Sequence, residues 1–260
     1  MSSTRTGIEW TEATWNPVTG CDRVSEGCDN CYAAAMAARL RAMGNPRYQR
    51  DGDPRTSGPG FGLTLHADKL DEPFTWRRPR IVFVNSMSDL FHKEVPDDFI
   101  ADIFAVMEAT PQHTYQVLTK RPARMTSLLR RWAAEGIEPA ANVWLGTSVE
   151  TQHWAEIRVP KLLETPAAVR FLSCEPLLSP IDLTPWVHAG NLDWLIAGGE
   201  SGPNARPMDA EWVASLRDQC AEAGVAFFFK QWGGRTPKSG GRDLDGRIHD
   251  DFPTIAAAVG

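Results

Sequence analysis

The sequence predicts a single α/β domain built as a parallel (β/α) barrel, complete or partial, with about seven β/α units. Three observations carry that expectation. The chain has 260 residues, the length of one large α/β domain with room for a substantial core. Short apolar runs rich in Val, Ile, Phe and Trp alternate with helical patterns, and such alternation implies right-handed crossovers between parallel strands. The residues that close those runs are polar or ionisable, and in parallel β/α folds the C-terminal strand ends line the ligand site.

The elements follow in order. ATWNPVTG (13–20) reads as the first strand and YAAAMAARLRAM (32–43) as the first helix. Residues 44–64 are rich in Gly, Pro and Arg, the composition of a lid or insertion. RIVFVNS (80–86), YQVLTK (115–120), NVWLGTS (142–148), VRFLSCE (169–175), DWLIAGGE (193–200) and VAFFFKQ (225–231) are apolar runs of strand length, suited to strands buried on both faces. PDDFIADIFAVMEATP (96–111) opens with Pro and acids, as a helix N-terminus should, and sets Phe99, Ile103, Val106 and Met107 on one side. ARMTSLLRRWAAEG (123–136) and DAEWVASLRDQCAEAG (209–224) each end in Gly, where a helix C-cap belongs. Residues 1–234 are thus assigned to the barrel, with 44–64 inserted, and 235–260 to a polar extension with little core.

Hydrophobic residues make up 42% of the chain and charged residues 23%, values of an ordinary globular protein, which exclude disorder and collagen-like structure. No apolar run is long enough for a transmembrane helix and the N-terminus has no apolar signal region, so a cytoplasmic protein without membrane contact is expected. The net charge of -6 gives no global case for nucleic acid. Basic residues nonetheless cluster in 39–50, 75–80 and 119–132, as a solvated helix face or a phosphate-binding surface.

Three of the five cysteines fall in GCDRVSEGCDNCY (20–32), between the first strand and the first helix, which places Cys21, Cys28 and Cys31 at the barrel mouth. In a reducing compartment clustered thiols suit metal or redox chemistry better than disulfides. A closed zinc site wants four ligands, and no paired CxxC or HxxxH follows. Three thiolates with an open position fit a 4Fe-4S cluster whose fourth iron takes an outside ligand. Cluster, zinc and reactive thiols all remain open on spacing alone.

The other strand ends supply Ser86, Ser88 and Asp89, then Lys120 and Arg121, Ser148 and Glu150, Cys174 and Glu175, the Gly198, Gly199, Glu200 run, and Lys230. Cys174 suits a hydrogen-atom donor or a small buried residue. The glycines let backbone amides approach a phosphate or adenine. Lys230, Gln231 and Trp232 combine a cation, an amide and an aromatic face, a set suited to a nucleotide.

A three-cysteine loop at this place resembles the radical S-adenosylmethionine (SAM) superfamily, although CxxxxxxCxxC stands here where that superfamily has CxxxCxxC. Over residues 8–234 the strings IEWTEATWNPVTGC, VNSMSDLFHKEVPDD, LTKRP, VWLGTSVE, RFLSCEPLL, IAGGESGPNARPMD and FFFKQWGG resemble a phage and bacterial three-cysteine-motif family of unknown function. SMSDLFHKEVPDD followed by LTKR is also similar, more distantly, to the spore photoproduct lyase group.

The resemblance implies a barrel of radical SAM type that cleaves SAM to a 5′-deoxyadenosyl radical with a 4Fe-4S cluster and an external electron donor. Cys21, Cys28 and Cys31 would bind three irons. Ser86, Ser88 and Asp89 would approach the methionyl amine, Lys120 or Arg121 its carboxylate, and Ser148 and Glu150 the ribose, with Tyr32 stacked on cluster or adenine. A nucleotide or nucleic-acid substrate is one expectation. Two other classes stay beside it: a zinc-stabilised nucleic-acid-binding protein without catalysis, and a cluster protein that binds SAM without cleaving it, as a sensor or the subunit of a partner protein.

Overall fold

The computed structural model describes residues 6–187, 190–236 and 238–254. Its centre is one sheet of seven parallel strands: β1 (Ala13–Trp15), β2 (Ile81–Val84), β3 (Thr114–Thr119), β4 (Val143–Ser148), β5 (Val169–Cys174), β6 (Trp194–Gly198) and β7 (Ala226–Gln231). Their order in the sheet is their order in the chain, with β1 and β7 at its two edges. A singly wound parallel sheet that stays open is a partial (β/α) barrel, the expected fold class. Helices fill five of the crossovers: α1 (Tyr32–Ala42), α2 (Asp97–Ala109), α3 (Pro122–Ala134), α4 (Gln152–Leu163) and α5 (Ala210–Ala223). The β5 to β6 crossover has no helix among its described residues.

Alternation along the strands separates two cores. Val82, Tyr115, Val117, Leu145, Leu172, Cys174, Leu195 and Phe229 join the large core shared with the helices. Phe83, Trp144, Phe171, Trp194, Ile196 and Phe228 form a second, largely aromatic core on the opposite face. Both faces of β4 and β6 are buried throughout, which is why these strands read as continuous apolar runs.

Local chemistry sets the helix ends. Asp97 and Asp98 lie in the first turn of α2, where the helix dipole favours acids. Asp209 caps α5 by accepting from the Glu211 amide, and Gly224 ends it in the left-handed conformation at φ 70°. The sequence pattern did not mark α4, because Pro160 inside it looks like a breaker.

The segment expected as a lid is tied down at its C-terminal end. Val18–Thr19 pairs antiparallel with Thr64–Leu65, and Gly20, at φ 87°, packs so closely on Gly62 that a Cβ would stand 2.4 Å from its carbonyl oxygen. The tail differs from its polar composition. Leu244 is buried in the large core, Asp250 bridges to Phe228, and Phe252 stacks on Trp194, so residues 243–252 brace the sheet's free edge. Positions 237 and 255–260 of the expected extension lie outside the described residues.

Candidate metal and cofactor site at the barrel mouth

The three cysteines occupy one loop above the C-terminal strand ends. Cys21 follows the short 18–19 pairing, Cys28 closes a 3-10 turn over Glu26–Cys28, and Cys31 is the N-cap of α1. All five cysteines are free thiols.

Four strand ends hold this loop. After β2, the Met87 carbonyl accepts from the Gly20 amide at 2.9 Å, and His92 Nε2 lies 3.0 Å from Asp22 Oδ2. After β3, Arg121 donates to Cys21 Sγ at 3.3 Å, to Asp89 at 2.9 Å and to the Asp22 carbonyl at 2.9 Å. After β4, Glu150 accepts from Ser25 Oγ at 3.0 Å, and Thr151 donates to Glu26. After β6, Glu200 accepts from Asn30 Nδ2 at 2.8 Å and pairs with Arg206, which also donates to the Glu26 carbonyl. A loop with few apolar contacts thus gets its fixed shape from charged and polar posts.

Burial and charge set the proton affinities. Burial pushes the Cys21 thiol up to about 12, with Asp89 adding to it and Arg121 opposing; burial likewise raises Cys31. Burial also works to raise Glu150, but Lys120 and Arg158 outweigh it and hold the carboxyl below its ordinary range. Asp22 behaves the same way, with hydrogen bonds from Ser57, Thr56 and His92 outweighing its burial.

A family model described as a protein of unknown function, DUF5131, matches residues 5–253. The chain belongs to the DUF5131 family. None of the curated proteins matches it. Among solved structures, a cysteine-to-serine mutant of spore photoproduct lyase aligns over 86% of this chain and 79% of that one, with 11% identity and a TM-score of 0.48.

The strand-end residues of this DUF5131 protein fall into three groups. Most are already engaged by the chain itself. Ser86 and Ser88 donate to Asn16 and to the Val18 carbonyl. Asp89 accepts from the Phe91 and Lys120 amides, Thr119 and Arg121. Ser148 is buried, and its carbonyl takes a bond from Arg158. Gly199 serves close packing, since a Cβ there would stand 2.0 Å from the Trp232 carbonyl oxygen, whereas a Cβ on Gly198 would meet Lys230 and Glu175 at ordinary contact distance. A second group has capacity to meet a ligand. Lys230 on β7 pairs with Glu175, the residue after β5, with both side chains partly exposed, and Tyr32 is 63% exposed. Cys174 stands alone: at the C-terminal end of β5 its side chain is fully buried in the helix-side core with Cys220, where it packs as a small apolar residue.

In the basic clusters at 39–50 and 119–132, several arginines are spent on internal partners. Arg41 pairs with Asp51, Arg47 with Asp68, Arg124 and Arg131 with Asp97, and Arg130 with Glu164. The residues that sequence reasoning missed are Ser25 and Asn30, whose roles rest on contacts with distant strand ends, and Arg158 and Arg206, which turn back onto the nearby Glu150 and Glu200.

By type and number the donors fit an iron-sulfur cluster: three thiols on one loop, with an Arg N–H aimed at one sulfur, the kind of bond that tunes cluster sulfurs. Among the described residues no three Cys, His, Asp or Glu side chains converge as a metal-holding group. Beside Cys21, between the cysteine loop and the insertion, opens a cleft of about 580 Å³ lined by both cations and carboxylates.

Proposed function

We propose that this DUF5131 protein is a radical SAM-type iron-sulfur enzyme. The observation that carries the reading is the loop bearing Cys21, Cys28 and Cys31, pinned above the ends of a singly wound parallel sheet by residues from four strands. The three cysteines would hold the cluster. When bound, cluster and SAM supply a one-electron cleavage of the sulfonium carbon-sulfur bond, giving methionine and a 5′-deoxyadenosyl radical, with the electron coming from an external donor.

The chain's own residues orient and seclude. Arg121 positions Cys21 and neutralises Asp89. Glu150 holds the loop rather than a ribose, and Glu200 holds it beside Asn30, since their oxygens already have internal partners. Glu175 and Lys230 are the paired acid and base best placed to move a proton on a substrate at the mouth. The aromatic core beneath them keeps water from the concave face. A nucleotide remains a candidate substrate through Lys230 and Trp232, although the internally paired arginines lessen the case for a nucleic-acid surface.

Anaerobic reconstitution with iron and sulfide, followed by SAM and a reductant, tests the reading. Visible charge-transfer absorption and release of 5′-deoxyadenosine are expected, and both should vanish when Cys21, Cys28 and Cys31 are changed to Ala. A colourless protein holding one tight zinc would replace the reading with a zinc-stabilised binding protein; a cluster that binds SAM but releases no 5′-deoxyadenosine would leave a sensor or partner subunit.

A further inference from the structure

Behind the cysteine loop lies a charge arrangement that a barrel does not need for its own stability. Glu150 is fully buried and Arg158 is 1% exposed. Glu150 Oε2 accepts from Arg158 Nη1 at 2.8 Å, and Oε1 accepts from Lys120 Nζ at 3.0 Å and from Ser25 Oγ at 3.0 Å. Arg158 also donates to the Ser148 carbonyl at 2.8 Å and lies over the Trp154 ring, 4.0 Å from its centroid. Its Nε and Nη2 are buried without a partner among the described residues. Desolvating three charges, one of them with unsatisfied N–H groups, costs more than an apolar packing of the same volume would. Such an arrangement persists where it fixes something else.

What it fixes is the middle of the loop. Ser25 Oγ is 3.9 Å from Cys28 Sγ as well as bonded to Glu150. Gly27 packs against the same carboxylate so tightly that a Cβ would stand 2.4 Å from Glu150 Cγ. A carboxylate held from behind by two cations therefore meets the loop at two residues just before Cys28, one by hydrogen bond and one by shape.

We propose that Glu150, locked by Lys120 and Arg158, is the latch that sets the position of Cys28, with Ser25 and Gly27 as its strike plate and Arg158 as a positioning residue. This rests on the cysteine loop being a metal-binding loop only for its purpose; the latch itself is a property of the metal-free chain. Order in the loop is then set before any metal arrives, and loading depends on a residue that never touches the metal.

Amide hydrogen exchange of the metal-free protein tests it directly. Ser25→Ala removes the hydroxyl's bonds to Glu150 and Cys28, and Gly27→Ala forces the loop off the carboxylate without touching either; each should speed exchange of amides 25–31 by about tenfold or more while α3 and β4 keep their protection. Ser25→Thr, which retains the hydroxyl, should restore most of it. Glu150→Gln should do the same as Ser25→Ala, and where it lowers overall stability the Ser25 and Gly27 variants still decide the matter. Cobalt(II) added as a spectroscopic probe should bind at least tenfold more weakly to Ser25→Ala than to the wild type. Unchanged loop exchange in both Ser25→Ala and Gly27→Ala overturns the latch. Faster loop exchange in a protein that takes up no iron and sulfide supports the latch and counts against the iron-sulfur reading, so the two fail separately.

Discussion

The two ends of the barrel are built from opposite materials. At the N-terminal end of the strands, Trp194 touches Trp10, Trp144, Phe171, Phe228 and Phe252, an aromatic floor whose stability is apolar burial. At the C-terminal end, Asp89, Lys120, Arg121, Glu150, Arg158, Glu200 and Arg206 form paired charges around a loop of polar residues. The floor specifies the fold and gives nothing to chemistry. The mouth gives little net stability, because each pair must first be desolvated, and what it yields instead is the placement of three thiols.

The largest effect should come from the floor. Trp194→Ala removes a fully buried ring and its Nε1 bond to the Asp251 carbonyl, which also ties the tail to the sheet. A loss of about 3–5 kcal/mol, with a cooperative shift of the whole urea transition, is expected. Loss of the tail alone, with the sheet's melting unchanged, would break the assignment of Trp194 as the hub. Next comes the buried pair at the mouth. Glu150→Leu strands Lys120 and Arg158, and about 3 kcal/mol should be lost; the double variant Glu150→Leu with Arg158→Met should recover part of it in the same denaturation assay, since it removes one stranded charge.

The contrast also separates what was legible in the sequence from what was not. Strands β2 to β7 were readable because burial on both faces writes itself as local apolar runs, and the cysteine loop because its spacing is local. The strand-end rule brought Asp89, Glu150 and Glu200 to the mouth, but a sequence position does not say whether a carboxylate faces a ligand or its own chain. That is decided by Ser25, Asn30, Arg158 and Arg206, up to 170 residues away in the case of Asn30 and Glu200. Arg158 was invisible for a second reason: in AEIRVPKLL it reads as a solvated cation beside a breaker, and its burial is made tolerable by the Glu150 carboxylate, the Ser148 carbonyl and the Trp154 ring. Leu244 and Phe252 failed in the same way, being isolated apolar residues in a polar tail whose partners lie on the sheet.

Acid sharpens the comparison from the floor side. His113, 1% exposed just before β3, packs edge-on to Trp76 and Tyr115. Burial lowers its pKa below the ordinary imidazole value. The unfolded chain therefore binds the proton more readily than the folded one, and stability falls as pH drops through and below the unfolded value of about 6.5. Urea midpoints measured from neutral pH downward should decline in the wild type and decline less steeply in His113→Gln; equal slopes would remove His113 from the account.

The smallest global effect belongs to Arg206, and it is the most local. Its side chain is 33% exposed, so its pair with Glu200 at 2.7 Å works in partial solvent and is worth about 1 kcal/mol at most. Yet the same guanidinium also pairs with Asp29 at 3.4 Å, while Glu200 accepts from Asn30, so this pair grips the loop chiefly on the Cys31 side, with one further bond to the Glu26 carbonyl, as Glu150 grips it on the Cys28 side. Arg206→Ala should leave the urea midpoint almost unchanged and speed exchange of amides 29–31 more than those of Ser25 and Gly27, which keep the buried carboxylate as an anchor when the bond to the Glu26 carbonyl is lost. High salt should imitate it, because an exposed pair is screened and a buried one is not. If Arg206→Ala loosened both halves of the loop equally, the two grips would be one cooperative unit, and the division of labour between a buried post and an exposed clamp would fall.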